Sequence, residues 1–145
     1  MARCLVTGHK GYIGSRLYKA LESAGHSVMG IDLEKDIRHD IITTLAEDND
    51  GKFHPHWYNF QPEYVFHMAC WPRVGYSVEN PVETSRNNIL AGTVLLNFAR
   101  KVGSVKRVIY SSSSSVMGNG AGPESPYALQ KYTTEIETSL YSKLY

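Results

Sequence analysis

Two residues near the end of the chain have the types and spacing of an acid–base pair. Tyr127 and Lys131 are four positions apart, so both side chains share one face if residues 126–145 form a helix. An ammonium beside a phenol favours the phenolate, lowers the tyrosine pKa and makes the phenol a usable base for an alcohol proton. A serine from the run Ser111 to Ser115 could hold the substrate hydroxyl. The same spacing also arises by chance on solvated helix faces, so the interpretation needs support elsewhere in the sequence.

The glycine-rich stretch Thr7 to Gly14 gives that support. It follows the apolar run Cys4-Leu5-Val6, which predicts a buried strand, and it leads into a helical apolar pattern. At such a corner Gly8 can make the tight turn, Gly11 lets backbone approach a phosphate, and Gly14 lets the helix pack closely. The free amides at the helix start would then face an anion. An ordinary glycine turn is the alternative, and the strand-to-helix context favours dinucleotide binding.

Asp32 strengthens the case for a dinucleotide. It ends the apolar run 28–31, at about the 20-residue distance at which an acidic residue binds a ribose. Its carboxylate would accept hydrogen bonds from a ribose diol and repel a 2′-phosphate, which favours NAD over NADP. Leu33, where an arginine would accommodate that phosphate, points the same way.

Alternating apolar runs and helical patterns predict a single α/β domain over residues 1–145, a doubly wound parallel sheet of Rossmann type. Strands are expected at 27–32, 63–69 and 106–111, and helices at 81–101 and 126–145. Asn80-Pro81 and Ser125-Pro126 are expected to cap those two helices. The segment 72–80 is expected to be a loop.

The connection after Asp32 is too short for a complete doubly wound sheet. A parallel crossover needs a dozen or more residues, so the helix after strand two is expected to be missing and a strand over 36–41 rudimentary or absent. A short helix is expected at 41–48 and a covering loop or short helix at 51–61. His54 and His56 have no third ligand nearby, so no metal site is expected there.

Composition excludes several classes of protein. The formal net charge is +1 and no basic stripe is present, which argues against nucleic acid as a partner. No apolar run reaches the roughly 18 residues of a membrane span. Cys4 and Cys70 lie in apolar strand contexts, so we expect reduced thiols in a cytoplasmic protein. The sequence enters its first strand directly, which argues against a signal peptide.

Taken together, the sequence resembles the N-terminal part of an extended short-chain dehydrogenase/reductase, in the NAD-dependent epimerase/dehydratase group that acts on nucleotide sugars. The matching segments occur in the family's order over almost the whole chain. They are Thr7 to Gly14, Asp40-Ile41, Phe66 to Cys70, Asn88-Ile89, Ser111 to Gly118 and Ser125 to Lys131.

The resemblance implies a role for each matched residue. The pyrophosphate would be held by Gly8, Gly11 and Gly14 with the amides of Tyr12 and Ile13, and the adenosine ribose by Asp32. Asp40 and Ile41 would contact the adenine edge, Ala69 and Cys70 would line the nicotinamide side, and Asn88 would support the site. The implied catalytic residues are Ser113, Tyr127 as the base, and Lys131, which would also hold the nicotinamide ribose.

The implied reaction is nucleotide-sugar epimerase or reductase chemistry by transient hydride transfer to NAD. Dehydratases of the group carry an Asp-Glu pair where this chain has Ser114 and Ser115, so elimination of water is not expected. The short link after Asp32 resembles a reductase branch that often uses NADP, which keeps NADP open. Met117 stands where a tyrosine is usual.

Chains of this family continue into a substrate-binding part, and no C-terminal substrate domain is expected within these 145 residues. Three hypotheses therefore stay open: a minimal enzyme that borrows a pocket wall from a second subunit, a dinucleotide-binding module without turnover, and a truncated enzyme. The resemblance also implies a homodimer through the helices at 81–101 and 126–145. An uncovered sheet edge would favour association as well.

Overall fold

The computed structural model describes residues 1–33 and 40–145. The strands are β1 (Arg3–Thr7), β2 (Ser27–Ile31), β3 (Tyr64–His67) and β4 (Arg107–Tyr110). The helices are α1 (Tyr12–Ser23), α2 (Ile41–Leu45), α3 (Pro55–Phe60), α4 (Val74–Glu79), α5 (Pro81–Ser85), α6 (Ala91–Val102) and α7 (Pro126–Leu144). A π-helical segment, Arg86–Leu90, joins α5 directly to α6, and a 3₁₀ turn covers Ser114–Met117.

The four strands form one parallel sheet in the order β2-β1-β3-β4. Leu5 on β1 lies between Met29 on one neighbouring strand and Val65 on the other. A parallel sheet is covered on both faces, which is why its strands are nearly continuous apolar runs. The predicted α/β class and parallel sheet are therefore confirmed.

The core lies where this sheet meets the long helix α6. Leu5, Val65, Leu95 and Phe98 are almost completely buried there, and Leu45 of α2 closes the cluster. Each large aliphatic or aromatic side chain buried in this way contributes about 1.5–3 kcal/mol of hydrophobic stabilisation. The packing fixes α6 against β1 and β3, and so fixes the segment that precedes α6.

Local sequence explains where the last helix begins. Ser125 has extended backbone angles, and its hydroxyl accepts a hydrogen bond from the Ala128 amide at 3.1 Å. Pro126 occupies the first helical position, where no amide hydrogen is needed. The predicted cap at Ser125-Pro126 is confirmed, and it places Tyr127 in the first turn of α7.

One prediction about the preceding region is wrong. Residues 72–80 are not all loop, because α4 occupies Val74–Glu79. Asn80 is the N-cap residue of α5 and Pro81 begins that helix, as predicted, but the Asn80 side chain makes no cap bond and its Nδ2 donates to the Tyr76 carbonyl at 3.4 Å. A ring contact between Trp71 and Tyr76, with centroids 5.0 Å apart, holds α4 against the end of β3.

The short helices after the second strand agree with the sequence. The predicted helix at 41–48 is α2, and α3 lies within 51–61. The rudimentary strand expected over 36–41 falls largely on residues 34–39, which lie outside the described residues. Within residues 1–33 and 40–145, no helix is both long and apolar enough to cross a membrane.

Candidate active site

The chain turns sharply where β1 meets α1, and two glycines are required there. Gly8 has φ +70°, and an added Cβ would lie 2.8 Å from the backbone nitrogen of Ala69. An added Cβ on Gly14 would collide with the carbonyl of Gly8. The Gly8 amide donates to the Ile31 carbonyl at 2.7 Å, which ties the turn to β2. A side chain at Gly8 would therefore collide with the backbone that follows β3, and one at Gly14 would collide with the turn itself.

The first turn of α1 presents its amides in front of this corner. Gly11 is the N-cap residue, and no side chain caps the helix. The first amides of a helix lack intrahelical partners and carry the positive end of the helix dipole. Tyr12 and Ile13 are exposed, and the Arg16 guanidinium stacks on the Tyr12 ring at 3.8 Å. A positive, open helix start of this kind suits a diphosphate.

Asp32 lies just beyond β2, and its carboxylate faces the glycine turn. Its Oδ2 accepts a hydrogen bond from the Lys10 backbone amide at 2.6 Å. Asp32 and Leu33 line the same groove as Gly8. A carboxylate held at this place can accept hydrogen bonds from a ribose diol, which is the role predicted from the sequence.

Asp40 begins α2 at the far end of that groove. Its Oδ1 accepts from the Ile42 amide at 3.1 Å, and its Oδ2 forms a 2.9 Å ion pair with Arg86. The side chain of Asp40 is only 4% exposed, whereas that of Arg86 is 46% exposed. Asp40 and Ile41 both line the groove, as their predicted role at the adenine edge requires. Asp40 additionally holds α2 to the π-helical segment.

These residues surround a groove of about 160 Å³ at the carboxyl edge of the sheet, which we call the cofactor groove. Ligands of open α/β sheets bind at this edge. The lining residues are Gly8, Gly11, Asp32, Leu33, Asp40, Ile41, Met68, Ala69, Cys70, Trp71, Asn87 and Ala91. Two glycines without room for a Cβ at the adjoining turn, a helix start and a carboxylate placed to meet a ribose make the groove fit a dinucleotide.

Asn88 does not line the groove but holds one of its walls. It lies in the π-helical segment and is 2% exposed. Its Oδ1 accepts from the Trp71 amide at 2.7 Å, and its Nδ2 donates to the Trp71 carbonyl at 3.3 Å. The predicted supporting residue thus acts through the backbone of the segment that carries Ala69 and Cys70.

Tyr127 and Ser113 are brought together at the nicotinamide end predicted for the groove. Burial raises the Tyr127 pKa; Ser113 opposes this shift, and Cys70 adds a smaller contribution in the same direction as burial. The predicted lowering of the Tyr127 pKa is therefore wrong for this structure. Cys70 lines the groove and also acts on the Tyr127 pKa, whereas Tyr127 itself does not line the groove.

Lys131 is buried, and its ammonium is held at the end of β4. It is 2% exposed, and its Nζ donates to the Ser111 carbonyl at 2.7 Å. The ammonium also lies 4.8 Å from the centre of the Tyr110 ring. The i, i+4 spacing with Tyr127 is real, but a main-chain carbonyl at the end of β4 sets the position of the charge.

Buried polar residues next to the site were missed by the sequence analysis. His67 is 2% exposed, its Nδ1 lies 2.7 Å from the Thr7 hydroxyl, and its Nε2 has no hydrogen-bond partner. The Thr7 hydroxyl in turn accepts from the Ala69 amide at 3.2 Å. Burial, with a contribution from Lys131, lowers the His67 pKa to about 3, so this histidine is neutral. The sequence feature that could have identified His67 is its position inside an apolar strand, where a polar residue is unusual.

Gln130 and Ser77 were missed as well. Gln130 lies on α7, faces the π-helical segment and is 2% exposed. Ser77 is completely buried. The Tyr127 amide donates to the Ser77 hydroxyl at 3.0 Å, which fixes the first turn of α7 on α4. Among the described residues no group of three or more potential ligands could hold a metal ion. The geometry thus offers a groove that fits a dinucleotide, with the buried phenol of Tyr127, the buried ammonium of Lys131 and the half-buried hydroxyl of Ser113 outside its lining.

Comparison with known proteins identifies relatives across nearly the whole chain. A sequence model of the NAD dependent epimerase/dehydratase family matches residues 4–145. A UDP-glucose 4-epimerase of Mycolicibacterium smegmatis is 33% identical over 171 residues, which cover 99% of this chain and 52% of that protein.

Solved structures give the same result. A UDP-glucose 4-epimerase from Brucella ovis in complex with NAD superposes with a TM-score of 0.82 at 27% identity, covering 100% of this chain and 49% of that one. MoeE5 in complex with UDP-glucose and NAD has a TM-score of 0.79 and 30% identity, covering 97% and 49% of the two chains. The chain therefore spans about half the length of the relatives that it matches.

Proposed function

The chain belongs to the NAD dependent epimerase/dehydratase family, and on that premise we propose that it binds NAD and carries out nucleotide-sugar epimerase or reductase chemistry. The observation that carries this proposal is that Ser113 and Tyr127 lie close enough for Ser113 to act on the Tyr127 pKa, on which Cys70, a wall residue of the cofactor groove, also acts. A groove without that pair would support binding alone.

Separate parts of the groove would hold the dinucleotide. The helix start at Gly11, Tyr12 and Ile13 would bind the pyrophosphate, and Asp32 the adenosine ribose. Asp40 and Ile41 would meet the adenine edge, and Ala69 and Cys70 the nicotinamide side. The carboxylate of Asp32 favours NAD, because a 2′-phosphate would be repelled. NADP is the alternative cofactor, and measuring the affinities of the chain for NAD and NADP decides between them.

When bound, NAD supplies reversible acceptance of a hydride from a sugar carbon. Tyr127 would take the proton of the hydroxyl on that carbon, and Ser113 would hold the same oxygen through its hydroxyl. Lys131 keeps positive charge near the end of β4 and would contact the nicotinamide ribose. Because burial raises the Tyr127 pKa, the phenol is mainly protonated near neutral pH, and proton removal would be favoured at higher pH.

Elimination of water is not part of this proposal. An elimination needs a further acid and base next to the sugar, and the positions after Ser113 are Ser114 and Ser115. Both lie in the 3₁₀ turn, where the Ser115 amide and hydroxyl donate to Ser113 at 3.2 and 2.8 Å. Hydroxyls at these places can orient Ser113 but have no ionised form near neutral pH.

The test of the proposal is incubation of the purified chain with NAD and a panel of UDP-, GDP- and dTDP-sugars. We expect either NADH absorbance or an epimerised sugar from at least one substrate, and loss of that signal in Tyr127→Phe. Tyr127→Phe should retain NAD binding, because the phenol does not line the groove. Failure to bind NAD or NADP by calorimetry would refute the proposal completely.

A second candidate function is dinucleotide binding without turnover, as in a regulatory or structural subunit. It is favoured because Gly8, Gly11 and Asp32 line the cofactor groove whereas Tyr127 does not. In that case calorimetry would show NAD binding, while no sugar in the panel would give NADH or an epimer.

We also propose a homodimer through the helical layer of α5, α6 and α7, which pack side by side. Val82 and Leu90 on one side and Leu129 and Ile136 on the other are exposed apolar residues of that layer. Contiguous exposed apolar surface favours association. Sedimentation at micromolar concentration should show a dimer, and a monomer would contradict this part of the proposal.

A further inference from the structure

Gln130 is a buried amide whose hydrogen-bonding groups are all used. Its Oε1 accepts from Asn88 Nδ2 at 2.8 Å. Its Nε2 donates to the hydroxyls of Thr84 and Ser85 at 2.9 and 3.2 Å. Flipping the amide would place its NH₂ group against the Asn88 NH₂ group, so that two donors would face each other. The side chain is therefore held in one orientation across the gap between α7 and the helix before it.

Asn88 passes this orientation on to the wall of the cofactor groove. One hydrogen of its Nδ2 is used by Gln130 and the other by the Trp71 carbonyl, while its Oδ1 takes the Trp71 amide. Both main-chain polar groups of Trp71 are thus bound by one side chain. Trp71 and Cys70 line the groove, and Cys70 also acts on the Tyr127 pKa.

The two partners are positioned by neighbouring features of the backbone. The π-helical segment carries Asn88, whose main-chain carbonyl accepts a hydrogen bond from the Thr134 hydroxyl at 3.1 Å. On α7, Gln130 lies three residues after Tyr127 and immediately before Lys131. A shift of Asn88 would therefore move the groove wall relative to the helix that carries both catalytic candidates. π-helical insertions of this kind are frequent at functional sites.

We propose that Gln130 is a positioning residue, which acts through Asn88 to hold the Cys70–Trp71 wall in register with Tyr127 and Lys131. The proposal rests on the proposed function, since it assigns the reaction a residue that touches neither cofactor nor substrate. The alternative is that Gln130 only fills and satisfies a polar gap in the core. The two differ in what happens at Trp71 and at the reaction rate when the amide is replaced.

The first experiment measures hydrogen exchange at the Trp71 amide by NMR in wild type, Gln130→Met and Gln130→Glu. Met fills a similar volume but cannot bond Asn88, so we expect Trp71 protection to fall about 10-fold, as for loss of one buried hydrogen bond. Glu keeps an acceptor for Asn88 Nδ2 and should restore most of the protection. Lys19→Met, on the exposed surface of α1, is the control for introducing methionine.

The second experiment asks whether the change reaches the site. In a Trp57→Phe background Trp71 is the single tryptophan, since the chain has two. We expect NAD titration to change Trp71 emission differently in Gln130→Met than in wild type or Gln130→Glu. With a sugar that turns over, kcat should fall about 10-fold in Gln130→Met, while KM changes less.

The outcomes separate this proposal from the proposed function. If wild type binds no dinucleotide, the proposed function fails, and Trp71 exchange alone still decides whether Gln130 holds Asn88. If wild type binds NAD and Trp71 exchange is the same in all variants, the positioning role is refuted. It is also refuted if exchange changes in Gln130→Met while the NAD-induced emission change and kcat remain those of wild type.

Discussion

Acidification should destabilise this protein through a single buried imidazole. His67 on β3 is 2% exposed, and its Nδ1 lies within hydrogen-bond distance of the Thr7 hydroxyl. Its Nε2 has no hydrogen-bond partner, so no acceptor would stabilise a proton there. Burial and the nearby Lys131 charge lower its pKa from 6.5 to about 3 in the folded chain. Between these two pKa values His67 is therefore neutral in the folded chain and protonated in the unfolded chain. Stability from this group is complete above pH 6.5 and is lost as pH falls from 6.5 towards about 3.

The size of the effect follows from the two pKa values. Each pH unit below the unfolded pKa costs about 1.4 kcal/mol until the folded group also binds a proton. Between about pH 7.5 and pH 5, His67 should therefore remove about 2 kcal/mol from the free energy of unfolding. That is a large part of the stability of a small domain. Glu47 and Glu63, whose pKa values are lowered by their lysine partners, act only at more acidic pH.

The measurement compares urea unfolding of wild type and His67→Asn at several pH values between about 5 and 7.5. Asparagine keeps a polar atom for the Thr7 hydroxyl and has no titrating group in this range. Its absolute stability can differ, so the slope against pH is the quantity to compare. We expect the wild type to lose about 2 kcal/mol more than the variant. Parallel pH dependences in the two proteins would show that His67 is not the group responsible.

Three further changes test the groove and the phenol. Gly14→Ala should lower NAD affinity at least about 10-fold and destabilise the chain, because its Cβ would strike backbone of the preceding turn; Gly75→Ala, where a Cβ meets open space, is the calorimetric control. Ser113→Ala should raise the Tyr127 pKa further and move the pH–rate profile upward, since the Ser113 bond opposes the shift caused by burial; an unmoved profile would contradict this. Asp32→Asn should weaken NAD binding about 10-fold, as for loss of a charge-assisted hydrogen bond. Direct titration with both cofactors should also show a smaller difference between the NAD and NADP affinities than in wild type.

The sequence predicts well what local pattern decides. The β1–α1 corner follows from glycine positions alone, because only residues without a Cβ fit next to Ala69 and Gly8. The strands follow from apolar runs, since both faces of a parallel sheet are buried. The cap at Ser125-Pro126 is encoded in two adjacent residues. None of these requires knowledge of a distant part of the chain.

The errors arise where distant residues decide the outcome. Pro72, Gly75 and Asn80 gave 72–80 the composition of a loop, but Tyr76 packs on Trp71 and the buried Ser77 receives the Tyr127 amide. Those tertiary contacts stabilise α4 despite its weak helical sequence. Local propensity is a weak prior, and packing overrides it here.

The predicted effect of Lys131 on Tyr127 fails for a related reason. Spacing of four residues shows that two side chains share a helix face, but it does not show where a long flexible ammonium goes. Here the Lys131 ammonium donates a hydrogen bond to the Ser111 carbonyl and lies near the Tyr110 ring. Burial then governs the Tyr127 pKa, and Ser113 is the partner that opposes it.

The π-helical segment could not be predicted either, because apolar spacing over 81–101 indicates a helix without revealing one extra residue in a turn. Its three consecutive residues serve different parts of the groove. Arg86 pairs with Asp40 at the predicted adenine end, Asn87 lines the groove, and Asn88 holds Trp71. Because Asp40 and Trp71 both line the groove, one turn of helix holds two separate parts of its wall.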